Sequence, residues 1–118
     1  MAAGLTQLRI LYENPDIYQK LEKKGEKLYG SITEILAEKQ APCRVNHIGS
    51  LGCVFFTTEP VTDYASAKTS DTKAYADYFH YMLNHGVHLA PAQFEAMFLS
   101  DAHTSQDIEK TLELVKNY

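Results

Sequence analysis

One segment of this sequence places its apolar residues at helical spacing and the next at strand spacing, and this change constrains the fold most. From Asn14-Pro15 to about Lys39, apolar side chains recur every three or four positions, as on a buried helix face. Asn14 suits an N-cap and Pro15 a first helical turn, and Ala41-Pro42 ends the helix. The apolar stripe consists of Ile17, Leu21, Leu28, Ile32 and Ile35. Two glycines within the segment are expected to weaken the helix by up to ~1 kcal/mol each relative to alanine.

Two short strands are predicted next. Residues 44–48 alternate polar and apolar side chains, and residues 53–57 are more continuously apolar. The Gly-Ser-Leu-Gly sequence of residues 49–52 predicts the turn of an antiparallel hairpin. In this hairpin Cys53 lies opposite a residue near 46 and not opposite Cys43, so both cysteines are expected to be free thiols in a reducing compartment.

In the middle of the chain, the spacing of the apolar residues changes again, first to that of a loop and a helix and then to that of strands. Residues 58–69 predict a surface loop, and a helix capped by Thr69 or Ser70 ends at Gly86. Residues 87–89 and 97–99 predict two further strands on either side of a proline.

The two ends of the chain are predicted to be helical. Thr104 with Asp107 resembles a capping box that starts the last helix. The helix over residues 1–11 has no capping residue before it, so it is either a frayed terminus or a helix whose start lies upstream. The complete order, ααββαββα, predicts an α+β fold in two layers: a small antiparallel sheet covered on one face by helices.

Length and charge exclude several classes of function. The chain has 118 residues, with 11 Lys+Arg against 15 Asp+Glu and a net charge of −4. This length suits one domain or part of one, and an acidic chain without a basic stripe disfavours nucleic acid. No apolar run approaches the roughly 20 residues of a membrane span, and no secretory signal is visible. We expect a cytoplasmic protein that binds neither nucleic acid nor a membrane.

Metal-binding and nucleophile patterns are not apparent. The five histidines are dispersed, and His80 and His85 lie about 140° apart around their predicted helix. No cysteine pair has zinc spacing, so no metal site is expected. Ser50 lacks the flanking spacing of a nucleophile elbow.

Glu95 is the one candidate site residue. It is the single charge in residues 89–100, which are otherwise apolar, small or uncharged. Apolar surroundings desolvate a carboxylate unless it meets a cation or hydrogen-bond donors. Two interpretations remain: an exposed position on an edge strand, or a functional carboxylate.

A resemblance to a known family rests on this same region. Residues 86–104 read GVHLAPAQFEAMFLSDAHT, and Asp107-Ile108 follow. This stretch resembles the C-terminal signature of the glutamate-1-semialdehyde 2,1-aminomutases, which belong to the class III aminotransferases. Further matches in order and spacing are Met1-Ala-Ala-Gly4, residues 15–21, Gly49-Ser50, Phe55-Phe56, Asp63-Tyr64, residues 70–72, Phe79, Met82-Leu83 and Leu112. The resemblance covers the whole chain and corresponds to roughly the last quarter of such an enzyme.

The resemblance implies a pyridoxal-phosphate enzyme of fold type I, a cytoplasmic homodimer that converts glutamate-1-semialdehyde into 5-aminolevulinate for tetrapyrrole synthesis. The family's Schiff-base lysine, and the aspartate that pairs with the pyridine nitrogen, lie in a large domain without a counterpart here. Residues 1–13 would be the tail of an interdomain helix and residues 14–118 the small C-terminal domain. The isolated chain is then expected to be inactive and free of cofactor. Its implied partners are the missing large domain and a small amino-aldehyde substrate.

The resemblance also gives Glu95 a role. Related aminotransferases commonly use an arginine near this region to grip a substrate carboxylate, whereas Glu95 matches the glutamate of the aminomutase signature. A carboxylate disfavours a second carboxylate and favours an amino group or the cofactor-bearing lysine. Glu95 is therefore predicted to lie near substrate or cofactor as a positioning and electrostatic residue.

The sequence departs from the family pattern at two positions. Ala92 stands where serine is usual, and Met97 where a small residue, usually glycine, is found. If Glu95 and Met97 lie in one strand, their side chains point to the same side, so Met97 adds bulk beside Glu95. Two alternatives stay open: the small domain of another class III aminotransferase, and a free-standing α+β interaction module without chemistry.

Overall fold

The structure, a computed structural model, describes all 118 residues. The helices are α1 (Ala2–Glu13), α2 (Asp16–Gly25), α3 (Ser31–Glu38), α4 (Tyr64–Ala67), α5 (Thr72–Asn84) and α6 (Ser105–Asn117). The strands are β1 (Arg44–Ile48), β2 (Leu51–Phe55) and β3 (Met97–Phe98). No helix combines the length and the apolar character that crossing a membrane requires.

The long helix predicted after Asn14 forms as α2 and α3 joined by a π-helical turn, Glu26–Gly30. It buries Leu28 and Ile32 of the predicted stripe, together with Tyr29. The predicted N-cap is wrong, because Asn14 turns its side chain back and donates from Nδ2 to the Ile10 carbonyl at 2.9 Å. Pro15 occupies the N-cap position and provides no side-chain cap.

The β1–β2 hairpin has the predicted register, with Asn46 opposite Cys53. Its turn is shorter than predicted: Gly49, at φ +53°, and Ser50 suffice, and β2 begins at Leu51. A positive φ favours glycine, which explains how a two-residue turn closes here. Both cysteines are free.

The strand predicted over residues 87–89 does not form, so the sheet has three antiparallel strands in the order β1-β2-β3 and not four. The Val87 amide is already used, because it donates to the Met82 carbonyl at 2.9 Å after Gly86 turns the chain at φ +84°. This helix ending draws residue 87 away from the sheet. β3 pairs with β2 only through Met97 opposite Gly52 and Phe98 opposite Leu51.

Two details of the predicted loop and helix caps also differ. The loop over residues 58–69 contains a short helix, α4, which starts with a capping box between Asp63 and Ser66. Asp71, and neither Thr69 nor Ser70, caps α5 by accepting from two backbone amides. The capping box between Thr104 and Asp107 at the start of α6 is confirmed.

The sheet has one face against the helices and one open face. Gly52 and Val54 are buried on the helix side, where the Tyr29 ring lies against Gly52. Partners in an antiparallel pair share a face, and neighbours along a strand alternate. The open face therefore carries Ile48, Leu51, Cys53, Phe55 and Phe98. This arrangement confirms an α+β fold with a small antiparallel sheet.

A single cluster of buried side chains joins the helices to the inner face of the sheet. Its members are Leu28, Tyr29, Ile32, Cys43, Val54, Tyr75, Tyr78, Met82, Ile108 and Val115. Helix α1 contributes no buried residue to it.

Candidate functional site

Glu95 lies in an irregular turn over residues 91–96, between α5 and β3. The turn is closed by the Glu95 amide, which donates to the Ala92 carbonyl at 3.3 Å. Glu95 is exposed and precedes the edge strand β3, so it lies outside that strand, as the predicted strand bounds of 97–99 imply. The apolar residues that surround it in sequence therefore do not bury it.

Gln93 attaches this turn to the sheet, and the sequence interpretation missed it. Its side chain is buried, with 2% of its surface exposed. Nε2 donates to the Val54 carbonyl at 2.7 Å, and Oε1 accepts from the Phe56 amide at 3.1 Å. An uncharged polar residue two positions before Glu95 in an apolar stretch is the signal that pointed to it.

Two further contacts hold the same segment. The Tyr75 hydroxyl, from α5, donates to the Ala90 carbonyl at 2.6 Å. The Cys53 thiol donates to the Gln93 carbonyl at 3.5 Å. Burial raises the pKa of Tyr75 to about 12, with smaller contributions from Cys53 and from the nearby carboxylate of Glu95.

Glu95 lines a cavity of about 450 Å³ whose walls are mostly apolar. His88 and His103 also line it, and they are the other titratable groups with imidazole or carboxylate chemistry there. His103 is oriented by the Ser100 amide, which donates to Nδ1 at 3.0 Å. A cavity lined by a carboxylate and two imidazoles has groups that can attract an amine and hold or move a proton.

Met97 lines the same cavity, although the geometry differs from the prediction. It starts β3 opposite Gly52, on the face covered by helices, and is only partly buried. Met97 and Glu95 therefore line one cavity from two elements: Met97 from strand β3 and Glu95 from the preceding turn. Ala92 is exposed, and its carbonyl closes the turn.

No lysine lines this cavity. Lys24 donates to the Asp101 carbonyl at 2.8 Å, and Lys27 donates to Glu109 at 2.9 Å, both outside it. Covalent attachment of an aldehyde cofactor needs a lysine amine. The residues around Glu95 therefore do not by themselves hold such a cofactor.

The histidines, cysteines and carboxylates form no group of three or more that could hold a metal ion. Burial raises the pKa of the Cys43 thiol and of the Cys53 thiol to about 11. Such thiols are protonated at neutral pH and are poor nucleophiles.

The fold is similar to segments of solved transaminase structures. It matches an omega-transaminase from Sphaerobacter thermophilus with a TM-score of 0.79 and 23% identity, over 98% of this chain and 26% of that one. It matches a glutamate-1-semialdehyde aminomutase from Pseudomonas aeruginosa with a TM-score of 0.76 and 23% identity, over 86% of this chain and 22% of that one. The chain thus has the fold of a segment of the class III aminotransferases.

Sequence similarity then singles out one group within this class. The chain is 54% identical, over all 118 residues, to glutamate-1-semialdehyde 2,1-aminomutase 1 of Lachnoclostridium phytofermentans, of which it covers 28%. It is 53% identical over 112 residues to the aminomutase of Ruminiclostridium cellulolyticum, covering 95% of this chain and 26% of that protein. No family model matches the chain. The resemblance to the glutamate-1-semialdehyde 2,1-aminomutases is confirmed, and the chain spans about a quarter of the length of these curated relatives.

Proposed function

We propose that this chain is the C-terminal small domain of a pyridoxal-phosphate-dependent glutamate-1-semialdehyde 2,1-aminomutase. The observation that carries the proposal is 45–54% identity to such enzymes over nearly the whole chain. The parent protein would convert glutamate-1-semialdehyde into 5-aminolevulinate in the cytoplasm as a homodimer. Residues 14–118 would be the small domain of a fold type I enzyme, and residues 1–13 the tail of the helix that leads into it.

The cofactor in this proposal belongs to the parent protein. One solved relative is described as a transaminase with PLP bound, and another as an aminomutase in complex with PMP. Pyridoxal phosphate, when bound, supplies the electron sink for moving an amino group. A large domain would provide the lysine that is missing around Glu95, so the 118-residue chain alone would be inactive.

Glu95 would act in this site through its charge. Its carboxylate lies beside a largely apolar cavity with His88 and His103, and no cation of the chain pairs with it. An unpaired carboxylate attracts the amino group of substrate or the cofactor lysine and repels a second substrate carboxylate. This preference suits a substrate that carries an aldehyde where glutamate carries its α-carboxylate.

The exposed apolar residues on the open face of the sheet support the proposal that a further domain of the parent protein packs here. Ile48 and Phe98 are 75% and 72% exposed, and both lie on this face. Soluble proteins rarely leave a contiguous apolar patch without a partner. We propose that the large domain of the parent covers it.

The inactivity of the isolated chain is tested with pyridoxal phosphate. The purified chain is mixed with the cofactor and followed by absorbance, and 5-aminolevulinate is assayed after adding glutamate-1-semialdehyde. We expect neither a saturable imine band nor product. Site-specific imine formation or turnover would overturn the proposed dependence on a large domain.

The role of Glu95 is tested in the full-length protein. Glu95→Gln removes the charge at nearly constant size, and we expect turnover to fall by roughly tenfold or more. Glu34→Gln, at an exposed position of α3, is the matched control and should retain activity. Unchanged kinetics for Glu95→Gln would remove Glu95 from the site.

A second candidate is another class III aminotransferase, favoured by Met97 in the cavity of Glu95. The relevant measurement is a substrate profile of the full-length protein. Amino transfer to external keto acids at a higher kcat/KM than 5-aminolevulinate formation would favour this candidate.

A free-standing interaction module would instead follow from a stop codon directly upstream of Met1 in the genomic sequence.

A further inference from the structure

We propose that Gln93 is the positioning residue for Glu95. Its buried carboxamide fixes the turn over residues 91–96 to strand β2 and thereby sets where the Glu95 carboxylate stands. The inference rests on the proposed role of Glu95. Its structural half, that Gln93 attaches the turn to β2, depends only on the hydrogen bonds of Gln93.

The side-chain carboxamide of Gln93 makes two hydrogen bonds at the end of β2 that a neighbouring strand would otherwise make. β3 pairs with β2 only at Leu51 and Gly52, so the edge of the sheet beyond them has no neighbouring strand. The Val54 carbonyl and the Phe56 amide face Gln93, which offers one donor and one acceptor as a peptide group does. Leaving these buried groups unpaired would cost about 1–3 kcal/mol each.

Glu95 has no anchor of its own. Its carboxylate takes part in no hydrogen bond and no ion pair within the chain. Its position is therefore set by the backbone of the turn, which the Glu95 amide closes on Ala92. Only Phe94 stands between Glu95 and the side chain of Gln93 that holds the turn.

Other attachments hold the two ends of the turn, and the side chain of Gln93 holds its middle. After the turn, the Met97 carbonyl accepts from the Tyr29 hydroxyl at 3.1 Å. The Tyr75 hydroxyl holds the Ala90 carbonyl, five residues before Glu95. The Cys53 thiol holds the Gln93 backbone at 3.5 Å, and a thiol is a weak donor. Loss of the carboxamide would thus loosen the turn between Ala90 and Met97, while Tyr75 holds its start and the pairing of Met97 with Gly52 holds its end.

The structural half is tested by amide hydrogen exchange on the 118-residue chain. Gln93→Met keeps the length of the side chain and removes both hydrogen bonds, whereas Gln93→Glu keeps only the acceptor for the Phe56 amide. We expect exchange at Phe56 and Glu95 to quicken at least about tenfold in Gln93→Met and less in Gln93→Glu. Gln19→Met, at an exposed position of α2, is the matched control. Unchanged exchange at both amides would overturn the proposal; if Gln93→Met does not fold, Gln93→Glu decides.

The functional half is tested by a double-mutant cycle in the full-length protein. We expect Gln93→Met to lower kcat by about tenfold to a hundredfold, since small misplacements of a functional group cost that much. In the Glu95→Gln background the same substitution should have little further effect. An equal loss in both backgrounds would show a general structural role and overturn the positioning role. If Glu95→Gln alone changes nothing, the proposed function of Glu95 fails, and the exchange measurement still decides whether Gln93 holds the turn.

Discussion

Gly25 allows α2 to touch the turn between β1 and β2. A Cβ placed on Gly25 would collide with the carbonyl group of Gly49. A Cβ placed on Gly30, further along the same helical run, would meet nothing within 4 Å. The two glycines look equivalent in sequence but differ in what surrounds them.

We predict opposite effects of alanine at these two positions. Gly25→Ala should lower the free energy of unfolding by about 1–3 kcal/mol, because the backbone of the hairpin turn must move. Gly30→Ala should raise it by up to ~1 kcal/mol, because alanine favours the helix. Urea unfolding of the two variants measures both values. A stabilised Gly25→Ala variant would contradict the close approach of α2 and the turn.

The two thiols give a second prediction at this scale. Burial raises the pKa of each from 9.0 to about 11, which lowers the thiolate fraction about 100-fold at neutral pH. A disulfide reagent should therefore label the native chain about 100-fold more slowly than the urea-unfolded chain, and the rate should rise with pH up to about 11. Cys43→Ser and Cys53→Ser variants assign the rate to each thiol. Equal rates in the native and unfolded chains would refute the burial of both.

At the scale of elements, the start of α6 depends on one carboxylate. Asp107 Oδ2 accepts from the Thr104 amide at 2.7 Å and from its hydroxyl at 2.6 Å. These hydrogen bonds to Thr104 hold the pKa of Asp107 below its ordinary value of 3.8. A depressed pKa in the folded state stabilises the fold above that ordinary value, and this contribution disappears as the pH falls below it.

We predict that Asp107→Asn weakens the response of stability to acid. The free energy of unfolding of the unmodified chain should fall between about pH 5 and about pH 2, and that of Asp107→Asn should fall less over the same interval. Glu113→Gln, at an exposed position of the same helix, is the control. Urea titrations at several pH values give the slopes. Identical slopes for the chain and for Asp107→Asn would show that the capping box does not respond to this pH range.

Local signals predicted some elements well and others poorly. The stripe through Leu28 and Ile32, the hairpin register and the box between Thr104 and Asp107 depend on neighbours in sequence, so the sequence predicts them. The strand expected over residues 87–89 failed because Val87 is used by the C-terminus of α5, which competes with the sheet. For the site, Glu95 could be singled out by its lone charge. Gln93 differs from its apolar neighbours only in being polar and uncharged, and its partners, Val54 and Phe56, are almost 40 residues away in sequence, so its contacts could not be predicted.

At the scale of the whole molecule, the two faces of the sheet have different surroundings. The inner face packs against the buried cluster, and the outer face is open. Val54 faces the helices and is 2% exposed, while its neighbours along β2 face outward. The helices pack on the inner side, and the outer side leaves apolar area exposed, which the proposed large domain would cover. The turn with Glu95 lies next to β3, at the edge of this same sheet. The cavity of Glu95 is lined by Leu28, Tyr29 and Ile32 from the helix side, so a domain that covers the open face would reach Glu95 only around this edge.

The last prediction concerns the open face and compares the isolated chain with the full-length protein. In the isolated chain, Ile48→Lys combined with Phe98→Lys should leave the free energy of unfolding within about 0.5 kcal/mol per substitution, because both side chains are largely exposed. It should also reduce self-association measured by sedimentation, since it breaks up the apolar patch. In the full-length protein the same pair should lower thermal stability and activity, because charges would be buried against the large domain. Tyr18→Lys, at an exposed position of α2, is the control and should change neither. A full-length double variant with unaltered stability and activity would show that the large domain does not cover this face.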